Sequence, residues 1–287
     1  MSRLWRAVAR GVPSTGLLLA VALASSIWGI RGGASPDVSP EALLRRGFEN
    51  LYADDYVQVL ELTTRGGGAR PMTRTLQLTR KQSTRPGKAL VRFLEPYDVR
   101  RTSVLILENE RAADDLWIYL PALRMTRRIS AAQRADSFFG TDLSYEDVEP
   151  KRAADYSVRP AESGAGEVDG CVRLDVRALE GIDSTYERMV SCIDPERGVI
   201  HWTEFYRQGD RVKRLDVDLA SLRPVGDRLI PFRMTMRTLR NRSETDMVTR
   251  SYDIVEEIPD ALFSTWNLEG GDARRDRSRV SGADGSR

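Results

Sequence analysis

His201 is the single histidine of the 287-residue chain, and it stands beside Trp202 in a strand-like run. An imidazole needs a nucleophile or a second acid–base partner for triad or general acid–base chemistry, and no partner is identified for it. Glu146 and Asp147 are adjacent, as are Asp114 and Asp115. Neighbouring side chains on a strand point apart, so neither pair makes the facing carboxylates of glycoside hydrolysis. The chain has no HExxH, no GxSxG and no phosphate-cradling glycine loop. Gly66-Gly67-Gly68 runs into Ala69-Arg70-Pro71 instead of opening a helix. One histidine and two cysteines offer a transition metal too few ligands. These residues imply a binding scaffold with no cofactor, no metal and no catalytic residue, and not an enzyme.

The cysteines have a structural use. Cys171 begins CVRLDVRAL, Cys192 lies near the end of YERMVSCID, and Glu180-Gly181-Ile182-Asp183 forms a turn between them. A hairpin folded about the middle of that turn sets residue 171 opposite residue 192, at the separation a disulfide needs. A slip of one residue would leave two free thiols instead. Neither cysteine belongs to a CxxC, so a redox role has no support.

Asp114–Pro150 is the most distinctive stretch. Trp117, Ile118, Tyr119 and Leu120 end at Pro121, which terminates a strand. Arg124, Arg127 and Arg128 flank an extended pattern, Arg134 follows, and Phe138-Phe139 stand against Gly140. Asp142, Tyr145, Glu146 and Asp147 complete an acidic patch. In one reading this is a tied loop: Arg127, Arg128 or Arg134 pairs with Asp142, Glu146 or Asp147, and a phenylalanine plugs the core. In the other it is a mobile cover over an apolar pocket, with the arginines free for a lipid headgroup or a partner protein. Trp117, Tyr119, Phe138, Phe139, Met234 and Met236 are the apolar positions proposed for the cavity or its lid.

Positioning these residues falls to a strand-rich chain. Ser39-Pro40-Glu41 supplies a helix start, and Leu43, Leu44, Phe48 and Leu51 an apolar stripe to about Tyr52. Strand-like runs follow at Tyr56–Thr64, Thr73–Arg80, KALVRF and TSVLIL, and resume from Tyr156 to Ile254. In CVRLDVRAL, Val172, Leu174, Val176 and Ala178 face one way and Arg173, Asp175 and Arg177 the other. Met234 and Met236 alternate in the same manner with Thr235 and Arg237. One wet and one apolar face suit a sheet wrapped around a core. Periodicity leaves open whether that core is packed or hollow. The fold class is mainly β (α+β), a large curved antiparallel sheet or open barrel with helices over one face.

Arg3, Arg6 and Arg10 precede an apolar run from Gly16 to Ile30, and Gly32, Gly33 and Ala34 follow it. Residues 1–34 read as a secretory signal cleaved near Ala34, with an uncleaved inner-membrane anchor as the alternative. Residues 35–269 form one domain, and 270–287 a polar tail. Lys+Arg 44 against Asp+Glu 42 is balanced; without the four arginines of residues 1–34 the formal charge falls from +2 to −2. Nothing there asks for a nucleic-acid partner.

Several segments together resemble the LolA-like, outer membrane lipoprotein-sorting family, in the branch associated with lipid-exporting transporters. They are Phe93-Leu94-Glu95-Pro96, Asp98-Val99-Arg100, Trp117-x-Tyr119-x-Pro121-Ala122 and Arg127-Arg128-Ile129. Ser137-Phe138-Phe139-Gly140-x-Asp142-x-Ser144-Tyr145-Glu146-Asp147 is the longest. Phe205-Tyr206, Lys213-Arg214, Pro231-x-Arg233-Met234 and Pro259-Asp260-x-x-Phe263 complete the match, over about residues 40–268. The resemblance implies an unclosed β-barrel with a helical lid, of the LolA/LolB/LppX kind. It implies a monomeric periplasmic carrier of the acyl chain of a lipid or lipoprotein. The implied partner is an inner-membrane transporter of RND/MMPL type.

Overall fold

A computed structural model describes residues 39–270 apart from 53, 69, 111 and 162–169. Residues 1–34, expected to be a secretory signal, and nearly all of the expected polar tail lie outside the described residues. Helix α1 (Pro40–Tyr52) begins where Ser39 accepts a bond from the Ala42 amide, 3.2 Å. Its stripe of Leu43, Leu44 and Phe48 is buried against the sheet.

Six strands then run as a meander: β1 (Tyr56–Gly66), β2 (Met72–Lys81), β3 (Lys88–Glu95), β4 (Ser103–Leu107), β5 (Asp115–Leu120) and β6 (Met125–Arg128). Residues 129–155 then leave the sheet. The chain re-enters as β7 (Tyr156–Pro160), β8 (Val172–Ala178), β9 (Arg188–Ile193), β10 (Ile200–Arg207) and β11 (Asp210–Val217). A small hairpin, β12 (Leu222–Val225) and β13 (Arg228–Pro231), stands apart, before β14 (Arg233–Thr238) and β15 (Ser243–Ile254). Helix α2 (Thr265–Gly270) closes the described chain.

Among the described residues 13 strands form one antiparallel sheet, ordered β6-β5-β4-β3-β2-β1-β15-β14-β11-β10-β9-β8-β7. β6 and β7 are its two unpaired edges, so the barrel is not closed. Residues 129–155 join one edge to the other and therefore cross the open side. This crossing, here called the strap, holds three short 3-10 turns at Ala131–Gln133, Glu146–Val148 and Ala153–Asp155. The helical part of the lid is thus slight, and most of the strap is irregular chain.

The inner face carries the main core, with Leu62, Leu76, Val91, Phe93, Ile106, Ile118, Leu174, Val176 and Met236 packed against α1 and the strap. A second cluster lies on the outer face, where Ile258, Phe263 and Leu268 cover Leu90 and Leu105.

Cys171 and Cys192 are joined as a disulfide, Cα to Cα 5.4 Å. The ladder differs from the one the turn implied: Cys192 pairs with Arg173, and Val172 with Ile193. The longer 179–187 turn shifts the register by two, which keeps the face. Cys171, just ahead of the strand, reaches its partner diagonally.

Candidate functional site

The strap is the candidate site, because it decides what occupies the inner wall. Ser137 and Ser144 bridge to make a small loop, and the Phe138 amide donates to the Leu143 carbonyl, 2.8 Å. Its turn needs a left-handed backbone at Phe139 (φ 53°) and Gly140 (φ 77°). Glycine adopts that region without strain. A Cβ on Gly140 would stand 3.2 Å from the Met72 Cε. Arg74 Nε donates to the Phe139 carbonyl, 2.7 Å, and ties the loop to β2.

Phe138 is 1% exposed. Its ring lies 5.6 Å from Phe93 and 5.6 Å from Tyr145, and Phe139 packs on the same pair. Edge-on and tilted rings of this kind add about 0.5–1.5 kcal/mol per pair beyond burial. Met236, also 1% exposed, and half-buried Met234 join this core from β14. Trp117 and Tyr119 do not. They alternate with the inward Leu116 and Ile118, and they pack in the outer cluster beneath the C-terminal segment. The proposed cavity set is therefore corrected: a strand's period of two puts these residues on opposite faces.

Polar bonds fix the strap, but not the pairs expected from sequence. Asp142 accepts from Ser243 and Thr245 of β15, the latter at 2.8 Å. Glu146 accepts from Ser184 at 2.6 Å and from the Thr185 amide at 2.8 Å. Asp147 accepts from Tyr186 at 2.9 Å and Lys213 at 2.8 Å. The adjacent acids do point apart, each to its own anchor. Arg127 instead donates to Gln133 at 3.0 Å, Arg128 pairs with Asp115, and buried Arg134 forks onto Glu149. None of the three arginines meets the expected acids, and Arg134 is sealed from any headgroup. The acids are taken by groups far along the chain, while the arginines find other partners close to the strap.

Burial pushes the Asp147 carboxyl up, but Lys213, the Ser144 amide and Lys151 outweigh it and hold it below the usual carboxylate range. Burial also raises Glu149, to about 7, against the pull of Lys151 and Arg134. Beside it a cavity of about 30 Å³ is lined by Asp114, Arg134, Glu149, Lys151 and Arg152. That is room for about one water. A further depression is a polar surface dent at Ser157, Arg159, Asp175 and Arg177. Phe138, Phe139, Leu143 and Tyr145 of the strap pack into the core on the inner wall of the sheet. His201 Nε2 lies 4.0 Å from Asp194. No group of three or more metal-ligating side chains occurs among the described residues, and no helix there is long and apolar enough to cross a membrane.

None of the curated proteins matches the chain in sequence. Solved structures share its fold. An outer membrane lipoprotein-sorting protein domain from Vibrio parahaemolyticus is 22% identical over 80% of this chain and 95% of its own, with a TM-score of 0.69. A DUF1329 family protein from Desulfovibrio piger is 23% identical over 80% and 97%, TM-score 0.72. A LolA superfamily protein from Nitrosomonas europaea is 17% identical over 79% and 98%, TM-score 0.64. The unclosed barrel expected from the sequence is thus the LolA-superfamily fold. Residues 86–270, well over half of the chain, match the model of a family described as uncharacterized protein (DUF1329-like), and the chain belongs to that family.

Proposed function

We propose that the protein is a periplasmic carrier that takes up the acyl chain of a lipid or lipoprotein and passes it between envelope components. It is read as exported through residues 1–34, with domain 35–269 as the carrier and 270–287 as a tail. Catalysis has no part in this reading. The observation that supports it most is the strap: four apolar side chains fill an open inner wall, and noncovalent polar bonds hold them there.

The exchange is close to balanced. Withdrawing Phe138, Phe139, Leu143 and Tyr145 would cost about 1.5–3 kcal/mol for each fully buried side chain. An acyl chain of about a dozen methylenes returns ~0.8 kcal/mol for each one buried. The strap's own side chains act as an internal guest that a lipid displaces. Uptake then demands no empty cavity in the unloaded protein, which would otherwise expose a large apolar surface.

Mass spectrometry of the natively exported protein tests this. Stoichiometric lipid is expected, lost in Met234→Lys, whose half-buried side chain can be charged without unfolding the core. Near-UV circular dichroism reports that the variant is folded. Absence of bound lipid, together with no uptake of a fluorescent fatty acid by the purified protein, sinks the carrier reading. The filled interior favours a second reading, an accessory protein that docks an inner-membrane transporter without cargo. Unchanged lipid content with lost transporter binding would select it.

A further inference from the structure

Four turns stand side by side along one rim of the sheet. The pairs Leu120↔Met125, Arg92↔Ser103, Thr64↔Met72 and Thr238↔Ser243 put the β5–β6, β3–β4, β1–β2 and β14–β15 turns at the same strand ends. Gly66↔Ser243 joins the last two. Because the strands run in the order β6 to β14 without a break, these turns form one continuous arc. Arg70, Arg100, Arg101, Arg124, Arg240 and Arg242 lie on it, all exposed.

These arginines differ from their neighbours. On the adjoining strands Arg65 and Arg233 are bound to Asp246, Arg237 to Asp216 and Glu244, and Arg250 to Glu61. None of the six rim arginines has an ion pair or a side-chain hydrogen bond among the described residues. The acids on the same turns are Glu95 and Asp98, and Asp98 acts on Arg74. The rim keeps a surplus of uncompensated positive charge.

The backbone gives a second, independent sign. Arg101 (φ 70°), Arg124 (φ 48°) and Arg242 (φ 52°) adopt the left-handed region. Glycine or asparagine sits there with less strain, and each arginine costs about 1 kcal/mol. Three of the four turns of this arc thus carry a strained arginine whose side chain makes no ion pair or hydrogen bond among the described residues. Between them project Tyr97, 91% exposed, and Leu123, 65% exposed.

We infer that this rim docks the protein on a membrane surface bearing anionic headgroups. Its arginines meet lipid phosphates, and Tyr97 and Leu123 enter the interface. A protein partner would need a contiguous apolar centre to bury. The rim offers isolated apolar tips on a cationic arc, which suits a lipid interface. The strap loop lies at the same end, since Asp142 is bonded to Ser243 and Thr245, and Arg74 to Phe139. Docking would bring that loop against the bilayer. The inference deepens the carrier reading by naming the surface it works at, but membrane binding does not require cargo.

The test is sedimentation of the folded, signal-free protein with vesicles of phosphatidylcholine alone or with about a third phosphatidylglycerol, at low and high salt. Partition is expected on the anionic vesicles only and should fall as salt screens it. The triple variant R101G/R124G/R242G should bind roughly 100-fold more weakly, about fivefold for each arginine. Its melting temperature should stay level or rise, because glycine relieves all three turns. Tyr97→Ser with Leu123→Ser should weaken binding further. Equal partition of wild type and triple variant, or equal binding to neutral and anionic vesicles, overturns the inference. Binding without co-purified lipid would keep it and reject carriage alone.

Discussion

Asp142 shows how much one side chain holds in this site. Its carboxylate takes bonds from Ser243 and Thr245, and the Thr245 hydroxyl also meets the Asp142 amide at 2.9 Å. All three residues are buried. Asp142→Ala removes two bonds to a charged acceptor, at about 1.5–3 kcal/mol each, and the loss is trimmed because Ser243 keeps Asn241 and Thr245 keeps Thr64 as partners, both at 2.8 Å. Urea denaturation should show a loss of ~2–4 kcal/mol, and a change below 0.5 kcal/mol would mean the strap loop is not anchored there. The sequence singled out Phe138, Phe139 and the acids, and the structure places all of them in the strap, the rings in the core and the acids on its anchors. Arg127, Arg128 and Arg134 meet Gln133, Asp115 and Glu149 instead of the expected acids, because the crossing brings those acids onto donors of the sheet and its turns that sequence gives no means of pairing with them. Ser184 and Thr245 had no local signal, being ordinary residues made important by position, and Lys213 was marked only as part of the family resemblance, with no partner assigned.

At the scale of elements, the short runs expected over Tyr56–Thr64, Thr73–Arg80 and KALVRF became strands within a few residues of those bounds. Alternation made them legible. Trp117 and Tyr119 were misplaced because their strand is apolar on both faces, so periodicity carries no direction. The strap had no period to read, and its acid anchors give it a pH signature. Asp147 is ionised more readily in the folded protein than in the unfolded chain. Its contribution is complete above the unfolded value of about 3.9 and is lost as pH falls through the depressed folded value. Lys213→Met leaves that carboxylate buried with a weaker counter-charge, at about 3–5 kcal/mol. Burial then raises Asp147, so the variant's deficit should be largest near pH 7 and shrink toward pH 4. Comparing wild type with variant cancels the opposite trend of Glu149, which is favoured as pH falls from about 7. Thermal melts from pH 4 to 7 read the difference directly, and a deficit that grows on acidification contradicts the assignment.

For the whole molecule, the sheet is covered on both faces only along part of its width. β4 is Ser-Val-Leu-Ile-Leu, four of its five residues buried. Such an unbroken apolar run is the mark of a strand with no wet face, and it was visible in TSVLIL before any fold was known. What could not be read was the source of the second cover. It comes from the far end of the chain: Ile258, Phe263 and Leu268 lie over Leu90 and Leu105. Lys81 fixes the segment through the Ile258 carbonyl, 2.8 Å, and Asp260. The inner cover is meanwhile supplied by the strap and α1. A carrier that swaps its inner cover for a lipid needs these strands held from outside while the strap moves. Phe263→Ala should therefore act on the same strands from the opposite side. Truncating a buried phenylalanine costs about 3–5 kcal/mol, or roughly 6–20 °C for a domain this size. Hydrogen exchange should quicken at Leu90 and Leu105 before β9 and β10. Unchanged melting with normal protection at those amides would mean the outer segment is a passive appendage, and the sheet would then have to hold its shape through strap movement by its ladder bonds alone.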